Sequence, residues 1–167
     1  MNSPSAPSRP TDLKKLSLVI PARDEEGCIE STLIDFVHLL RAESIPCELV
    51  VVDDGCQDQT AAIVSRVSEA NPEVRLVANT PPHGFGLAVR CGLQHATGDA
   101  VAVVMADRSD SPEDLVRCYR VLQEGADCVF GSRFVKGAKV VDYPSHKLLL
   151  NRMANFFIRI IFRVPFN

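Results

Sequence analysis

Glu48-Leu49-Val50-Val51-Val52-Asp53-Asp54-Gly55 is the stretch on which the fold turns. Its unbroken Leu-Val-Val-Val run reads as a strand buried on both faces. Two acids and a glycine then stop it in a turn. Asp58 to Glu69 follows as a helix, with Ile63, Val64 and Val67 on its inner face. The same unit recurs on either side. Upstream, Leu16–Ile20 is a short strand stopped by Pro21, and Cys28–Arg41 has helical spacing at Ile29, Leu33, Phe36, Val37 and Leu40. Downstream, Val74–Ala78 reads as a strand and Gly86–Ala96 as a helix entered through His83-Gly84-Phe85-Gly86. Ala100–Met105 is apolar enough for a central parallel strand. Ser111 then caps a helix with Pro112 at its first position, and Asp127–Gly131 reads as a fifth strand. Strands alternating with helices predict an α/β fold with right-handed crossovers around a mostly parallel sheet.

The 167 residues suit one domain with a core of its own. Hydrophobic residues at 46% and charged residues at 23% exclude wholesale disorder and collagen-like repeats. A net charge of −3 argues against nucleic acid as a partner. The charge is unevenly spread: Arg133 to Arg163 holds seven Lys/Arg and one acid, Asp142. That basic end predicts an anionic partner or surface. Residues Met1 to Asp12, with three Ser and three Pro, read as a disordered leader without the apolar region of a signal peptide. None of the six cysteines forms a Cys-x-x-Cys pair, which predicts free, mostly buried thiols in a reducing compartment.

The domain is expected over residues 13–146, and 147–167 differs in kind. Lys147 to Arg163 mixes ten large apolar residues with Lys147, Arg152, Arg159 and Arg163. The charges interrupt it too often for a membrane span, which needs about twenty mostly apolar residues. Two readings stand: a helix lying in a membrane interface with its guanidinium groups at lipid phosphates, or one packed against protein.

Ligands of an open parallel sheet bind beyond the carboxyl ends of its strands. The residues there are Pro21-Ala22-Arg23-Asp24-Glu25, Asp53-Asp54-Gly55, His83 to Gly86, Ala106-Asp107-Arg108-Ser109-Asp110 and Gly131-Ser132-Arg133. Carboxylates at such an edge hold a hard divalent cation or hydrogen-bond a ribose and base. Arginine and glycine loops suit phosphate oxygens. The first turn, Pro-Ala-Arg-Asp-Glu-Glu-Gly, is not the Gly-x-Gly-x-x-Gly of a dinucleotide dehydrogenase, and no P-loop signature occurs. His83 has two readings here, a phosphate contact or a solvated loop histidine.

Val19-Ile20-Pro21-Ala22-Arg23-Asp24-Glu25-Glu26, Val51 to Thr60, Gly84-x-Gly86-x-Ala88 and Gly92 together resemble the family 2 glycosyltransferases. The likeness runs from about Leu16 to Arg163, and its nearest branch is the dolichyl-phosphate mannose synthases and bacterial polyprenyl-phosphate sugar synthases. It implies the GT-A fold, a Rossmann-like three-layer sandwich. It also implies a membrane-associated enzyme moving a sugar, with inversion, from a nucleotide diphosphate sugar to a polyprenyl phosphate, assisted by Mg2+ or Mn2+. By the same resemblance Pro21, Arg23 and Glu25 border the base and ribose, and Ser109 lies in the nucleotide site. Asp54, with Asp53 beside it, accepts a hydrogen bond from the base; the plain alternative for Asp53 is a turn cap. Arg133 lies near the sugar or diphosphate. Asp107 is the expected metal ligand, and Asp110 is either a second one or a cap for the next helix.

The metal loop departs from the family pattern. Met105 stands where the Asp-x-Asp motif has its first acid, while Arg108 and Ser111 replace a glycine and an acid of the branch version. Arg108 either supplies positive charge near the diphosphate or spoils the site. Two rival functions therefore stand beside lipid-phosphate transfer: a catalytically silent nucleotide-binding paralogue or fragment, and a transferase acting on a non-lipid alcohol. The expected location is the cytoplasm, at the cytoplasmic face of a membrane.

Overall fold

A computed structural model of the chain describes residues 12–131 and 153–158. The leader through residue 11, Arg133, and all of 147–167 except 153–158 lie outside the described residues. The chain divides into two units, Met1–Val129 and Phe130–Asn167.

The first unit runs β1 (Leu16–Ala22), α1 (Ile29–Ala42), β2 (Cys47–Asp53), α2 (Thr60–Ala70), β3 (Val74–Ala78), α3 (Phe85–His95), β4 (Ala100–Val103) and α4 (Pro112–Gln123). The four strands form one parallel sheet in the order β3-β2-β1-β4. Strand alternation sends Leu16, Leu18 and Ile20 of β1 and Leu49 and Val51 of β2 to one face, where they share a core with α1, α2 and α4. Val19, Val50 and Val52 point the other way, onto Ala88 of α3. Helices on both faces make three layers.

Local chemistry explains several boundaries. Pro21 is tolerated inside β1 because Val19, of the same strand parity, bonds toward β4 (its carbonyl takes the Val104 N–H, 3.0 Å), and β4 pairs no further than Val19. The missing N–H of Pro21 thus falls where the neighbouring strand has ended. Ser111 caps α4 as expected, its hydroxyl accepting the Asp114 N–H (3.2 Å) with Pro112 behind it. Gly92 lets α3 approach the sheet closely: a Cβ there would come within 2.3 Å of Val19 Cγ1 and 3.0 Å of Val52 Cγ2.

Three expectations are corrected. Asp127–Gly131 is not a strand, because no described strand lies beside it to form a ladder, and Phe130 is 87% exposed. β4 is the edge strand of the described sheet rather than a central one, and it stops at Val103. Its purely apolar sequence misled on this point, since Val101 and Val103 are exposed on one face. The six cysteines are free thiols, but five are half-buried and Cys128 is exposed. In the second unit, residues 153–158 are helical, and Met153, Phe156, Phe157 and Ile158 are exposed.

Candidate functional site

Four loops leave the carboxyl edge of the sheet, one after each strand; side chains tie the first three to one another and the fourth to α1. The β1–α1 loop is laced to the β2–α2 loop four times. Thr60 Oγ1 accepts the Glu25 N–H (2.8 Å), and Asp58 Oδ2 accepts the Glu26 N–H (3.0 Å). In return Asp24 Oδ1 accepts the Gln57 N–H (2.7 Å), and Glu26 Oε2 accepts the Gln59 N–H (2.9 Å). Asp24 takes a left-handed backbone (φ 56°), which Asp tolerates better than most residues. Arg23 stands exposed just before this laced segment, and Glu25 is half-buried within it.

The two acids that end β2 do different work. Asp53 Oδ1 accepts the N–H groups of Gly55 (3.1 Å) and Cys56 (2.8 Å), which makes it a turn cap. Asp54 is buried. Its Oδ1 accepts from Asn79 Nδ2 (2.7 Å) and lies 3.3 Å from His83 Nδ1, and its Oδ2 accepts the Gly84 N–H (2.8 Å). Burial alone would raise its pKa, but bonds from Asn79, Gly84 and His83 outweigh that and hold it below the ordinary range. His83 is exposed in its loop, yet its ring is held: Nδ1 lies 3.3 Å from Asp54 Oδ1 and the ring packs where a side chain on Gly55 would stand.

On the β4–α4 loop, Asp107 Oδ1 accepts the Ser109 N–H (3.0 Å). The Ser109 hydroxyl and N–H together hold the Asp107 carboxyl below its usual range. Asp110 Oδ2 accepts the Met105 N–H (2.8 Å), so this acid closes its own loop. Arg108 is left-handed (φ 64°) and pairs with Asp35 of α1 (3.2 Å). Thr32 of α1 donates to the Ala106 carbonyl (2.8 Å) and anchors the loop. A cavity of about 690 Å³ opens between α1 and this loop, with Asp35, Arg108, Ser109 and Asp110 on its wall. Pro21, Arg23, Glu25, Asp53 and Asp54 do not line it.

Electrostatics joins the first and fourth loops. Burial, and then the negative charges of Asp107, Asp58 and Asp24, push the Glu25 carboxyl above its ordinary range. Glu25 and Asp107 are both hard oxygen donors at this edge, and each carboxylate's charge disfavours ionisation of the other. Asp24, Cys56 and Asp58 also bring ligand atoms within 4.8 Å of one another. Asp24 and Asp58 there also accept backbone N–H groups, from Gln57 and from Glu26 and Thr60, and burial pushes the Cys56 thiol up to about 11.

The structure therefore gathers Pro21, Arg23, Glu25, Asp53, Asp54, Asp107, Ser109 and Asp110 at one edge, and Arg133 lies outside the described residues. Sequence reasoning overlooked the tying roles of Glu26, Asp58, Thr60, Asn79 and His83. An Asp-x-Thr just ahead of a helix carries a readable signal for such backbone bonding; Asn79 and His83 carry none, because their partner is distant in sequence.

A three-layer parallel α/β sheet with carboxylate-rich loops at its carboxyl edge is the GT-A type of nucleotide-sugar fold. Residues 17–166 match the family Glycosyl transferase family 2, and the chain belongs to that family. It is 32% identical over 140 residues to a dolichol-phosphate mannosyltransferase of Pyrococcus furiosus, covering 84% of this chain and 39% of the relative. It is 36% identical over 120 residues to a polyprenol monophosphomannose synthase of Mycolicibacterium smegmatis, covering 70% and 45%. The chain thus spans less than half the length of these relatives. Among solved structures it resembles a mannosyltransferase from Pyrobaculum calidifontis in complex with GDP-Man and Mn2+ (28% identity, TM-score 0.54, covering 69% of this chain and 33% of that one). It also resembles the glucosyl-3-phosphoglycerate synthase of Mycobacterium tuberculosis with Mn2+, UDP and phosphoglyceric acid (28% identity, TM-score 0.55, covering 67% and 40%).

Proposed function

We propose that this chain carries the donor site of a glycosyltransferase moving a sugar from a nucleotide diphosphate sugar to a polyprenyl phosphate. The observation that carries the reading is the set of acidic loops that follow the parallel strands at one edge of the sheet, in a chain that matches Glycosyl transferase family 2 over residues 17–166. Similarity to the two lipid-phosphate mannosyltransferases supports the acceptor class. Arg23 and Asp53 border the base and ribose. Asp107 holds Mg2+ or Mn2+, with Glu25 as the neighbouring carboxylate. A cation held there would supply charge neutralisation to the diphosphate leaving group. By the family resemblance Arg133 would supply positive charge to the diphosphate. A phosphate acceptor is already ionised at neutral pH, so the attack needs no general base from the chain, and in-line attack inverts the anomeric centre.

The reading extends to membrane contact. No helix among the described residues is long and apolar enough to cross a membrane. Lys147–Arg163 would instead lie on the surface of a membrane, at its cytoplasmic face, with the exposed Met153, Phe156, Phe157 and Ile158 toward lipid. Transfer from radiolabelled GDP-mannose or UDP-glucose to a polyprenyl phosphate, with Mn2+ or Mg2+, tests the whole. Label in the lipid fraction supports it, and hydrolysis or no reaction with both donors contradicts it. One observation favours nucleotide binding without transfer: both acids of that loop already accept backbone N–H groups, Asp110 from Met105 and Asp107 from Ser109. Donor binding without transfer would establish that second reading.

A further inference from the structure

Arg108 stands where the branch pattern has a glycine, and its backbone keeps a conformation that glycine adopts freely: φ is 64°, in the left-handed region that long side chains rarely enter. Two side chains of α1 hold the loop around it. Thr32, 2% exposed, donates from Oγ1 to the Ala106 carbonyl (2.8 Å), and Asp35 Oδ2 accepts from Arg108 Nη2 (3.2 Å). Thr32 and Asp35 lie about one turn apart on one side of the helix. Their partners are the residues immediately before and after Asp107. The loop's own bonds, Asp107 Oδ1 to the Ser109 N–H and Asp110 Oδ2 to the Met105 N–H, close it internally without attaching it to α1. Between the helix and the loop lies the cavity of about 690 Å³, so these polar ties span a gap that apolar packing does not fill. Arg108 is on the wall of that cavity, which none of Pro21, Arg23, Glu25, Asp53 and Asp54 lines.

We infer that Arg108 is a positioning residue: paired with Asp35, it fixes the loop that presents Asp107, and it does not itself reach the diphosphate. The inference rests on the donor-site reading above and deepens it, because it decides between the two roles that the sequence leaves open for Arg108. A diphosphate would have to win the guanidinium from Asp35 and draw it away from α1. An exposed ion pair is weak by itself. Joined to the buried Thr32 bond, it pins the backbone on both sides of Asp107, and a loop fixed beforehand costs less to order when cation and nucleotide bind. Glycine at this position would take the same φ without strain but would lose the second tie.

The test compares wild type, Arg108→Gly, Asp35→Asn and the double variant. It measures GDP and UDP binding with and without Mn2+, and the Mn2+ concentration at half-saturation. Arg108→Gly keeps the left-handed backbone, and Asp35→Asn leaves the guanidinium in place. Positioning predicts that both single variants need more Mn2+, up to about fivefold, the weight of one exposed ion pair. The double variant should be no worse than either, and binding without Mn2+ should not change. In an Asp107→Asn background, Arg108→Gly should have no further effect. Weaker binding in Arg108→Gly alone, with Asp35→Asn neutral or tighter, would make Arg108 a phosphate contact and overturn the inference. Tighter binding in Arg108→Gly, or unchanged Mn2+ midpoints in both variants, would overturn it equally. Amide exchange of Met105 and Ser109 without ligand is the second readout, and Asp35→Asn is its decisive arm because that change lies outside the loop. Faster exchange there supports the tie, and unchanged exchange overturns it. Should wild type bind neither nucleotide, the donor-site reading fails, while the exchange data still decide whether the pair holds the loop.

Discussion

Asp107 and Glu25 are the residues through which the proposed metal site is tested. Removing the negative charge of Asp107 should abolish the metal-dependent part of nucleotide affinity. Asp107→Asn is expected to weaken nucleotide binding at least about tenfold in Mn2+, consistent with the loss of a charged contact, and to leave metal-free binding unchanged. Calorimetric titration reads both. Glu25 offers the complementary check. Its pKa is raised by burial and then by Asp107, Asp58 and Asp24, so the folded chain binds its proton more tightly than the unfolded chain does. Stability therefore falls as pH climbs through the Glu25 titration. Glu25→Gln should melt higher than wild type at pH 7 without divalent cation. That gap should close toward pH 4, where Glu25 is protonated, and shrink on adding Mn2+. A gap indifferent to both pH and cation would remove Glu25 from the charge cluster.

The elements holding these residues make predictions of a different kind. Gly92 of α3 lies against Val19 and Val52, and Gly92→Ala forces the helix off the sheet. A cost of about 1–3 kcal/mol is expected from overpacking, measured by denaturant unfolding, with nucleotide affinity lowered because α3 carries the Gly84 entrance. At the opposite, amino-terminal ends of the strands, Glu48 is a buried staple. It accepts from Ser17 Oγ (2.6 Å), the Thr97 N–H (2.6 Å) and Thr97 Oγ1 (2.9 Å), and pairs with Lys15 and Arg75 (both 3.2 Å). Burial alone would raise its pKa, but these bonds win and lower it to about 2. Its contribution of about 3 kcal/mol is fully present above the unfolded pKa of 4.5 and is lost as pH falls toward 2. Glu48→Gln should flatten the acid limb of the stability curve.

Across the whole molecule, the strand–helix alternation was legible because each strand of the first unit is an apolar run and each helix carries its own period. The core residues predicted for α1, Ile29, Leu33, Phe36, Val37 and Leu40, are all buried. β4 was misplaced because an apolar strand reads alike at the centre and at an edge; only the exposure of Val101 and Val103 tells them apart. Asp127–Gly131 was misread because strand identity depends on a neighbour, which local sequence does not encode. The candidate site was legible as strand-end loops rich in acids. The division of labour within it was not, because Asp53 and Asp54 are adjacent in sequence yet bond to different loops. Fold and family are thus set by pattern and similarity, and the donor site is proposed from the loops at the carboxyl edge.

The central claim is a metal-dependent nucleotide site at the carboxyl edge, and a thermal-shift panel of GDP, UDP, dTDP and CMP tests it most directly, each with and without Mn2+ or Mg2+. A nucleotide at a hundred times its dissociation constant adds about 2.7 kcal/mol, a clear rise in Tm. The expected result is a rise with one nucleoside diphosphate, present only with the cation and lost in Asp107→Asn. A panel flat for every nucleotide, or a rise that survives both chelation and Asp107→Asn, would contradict it.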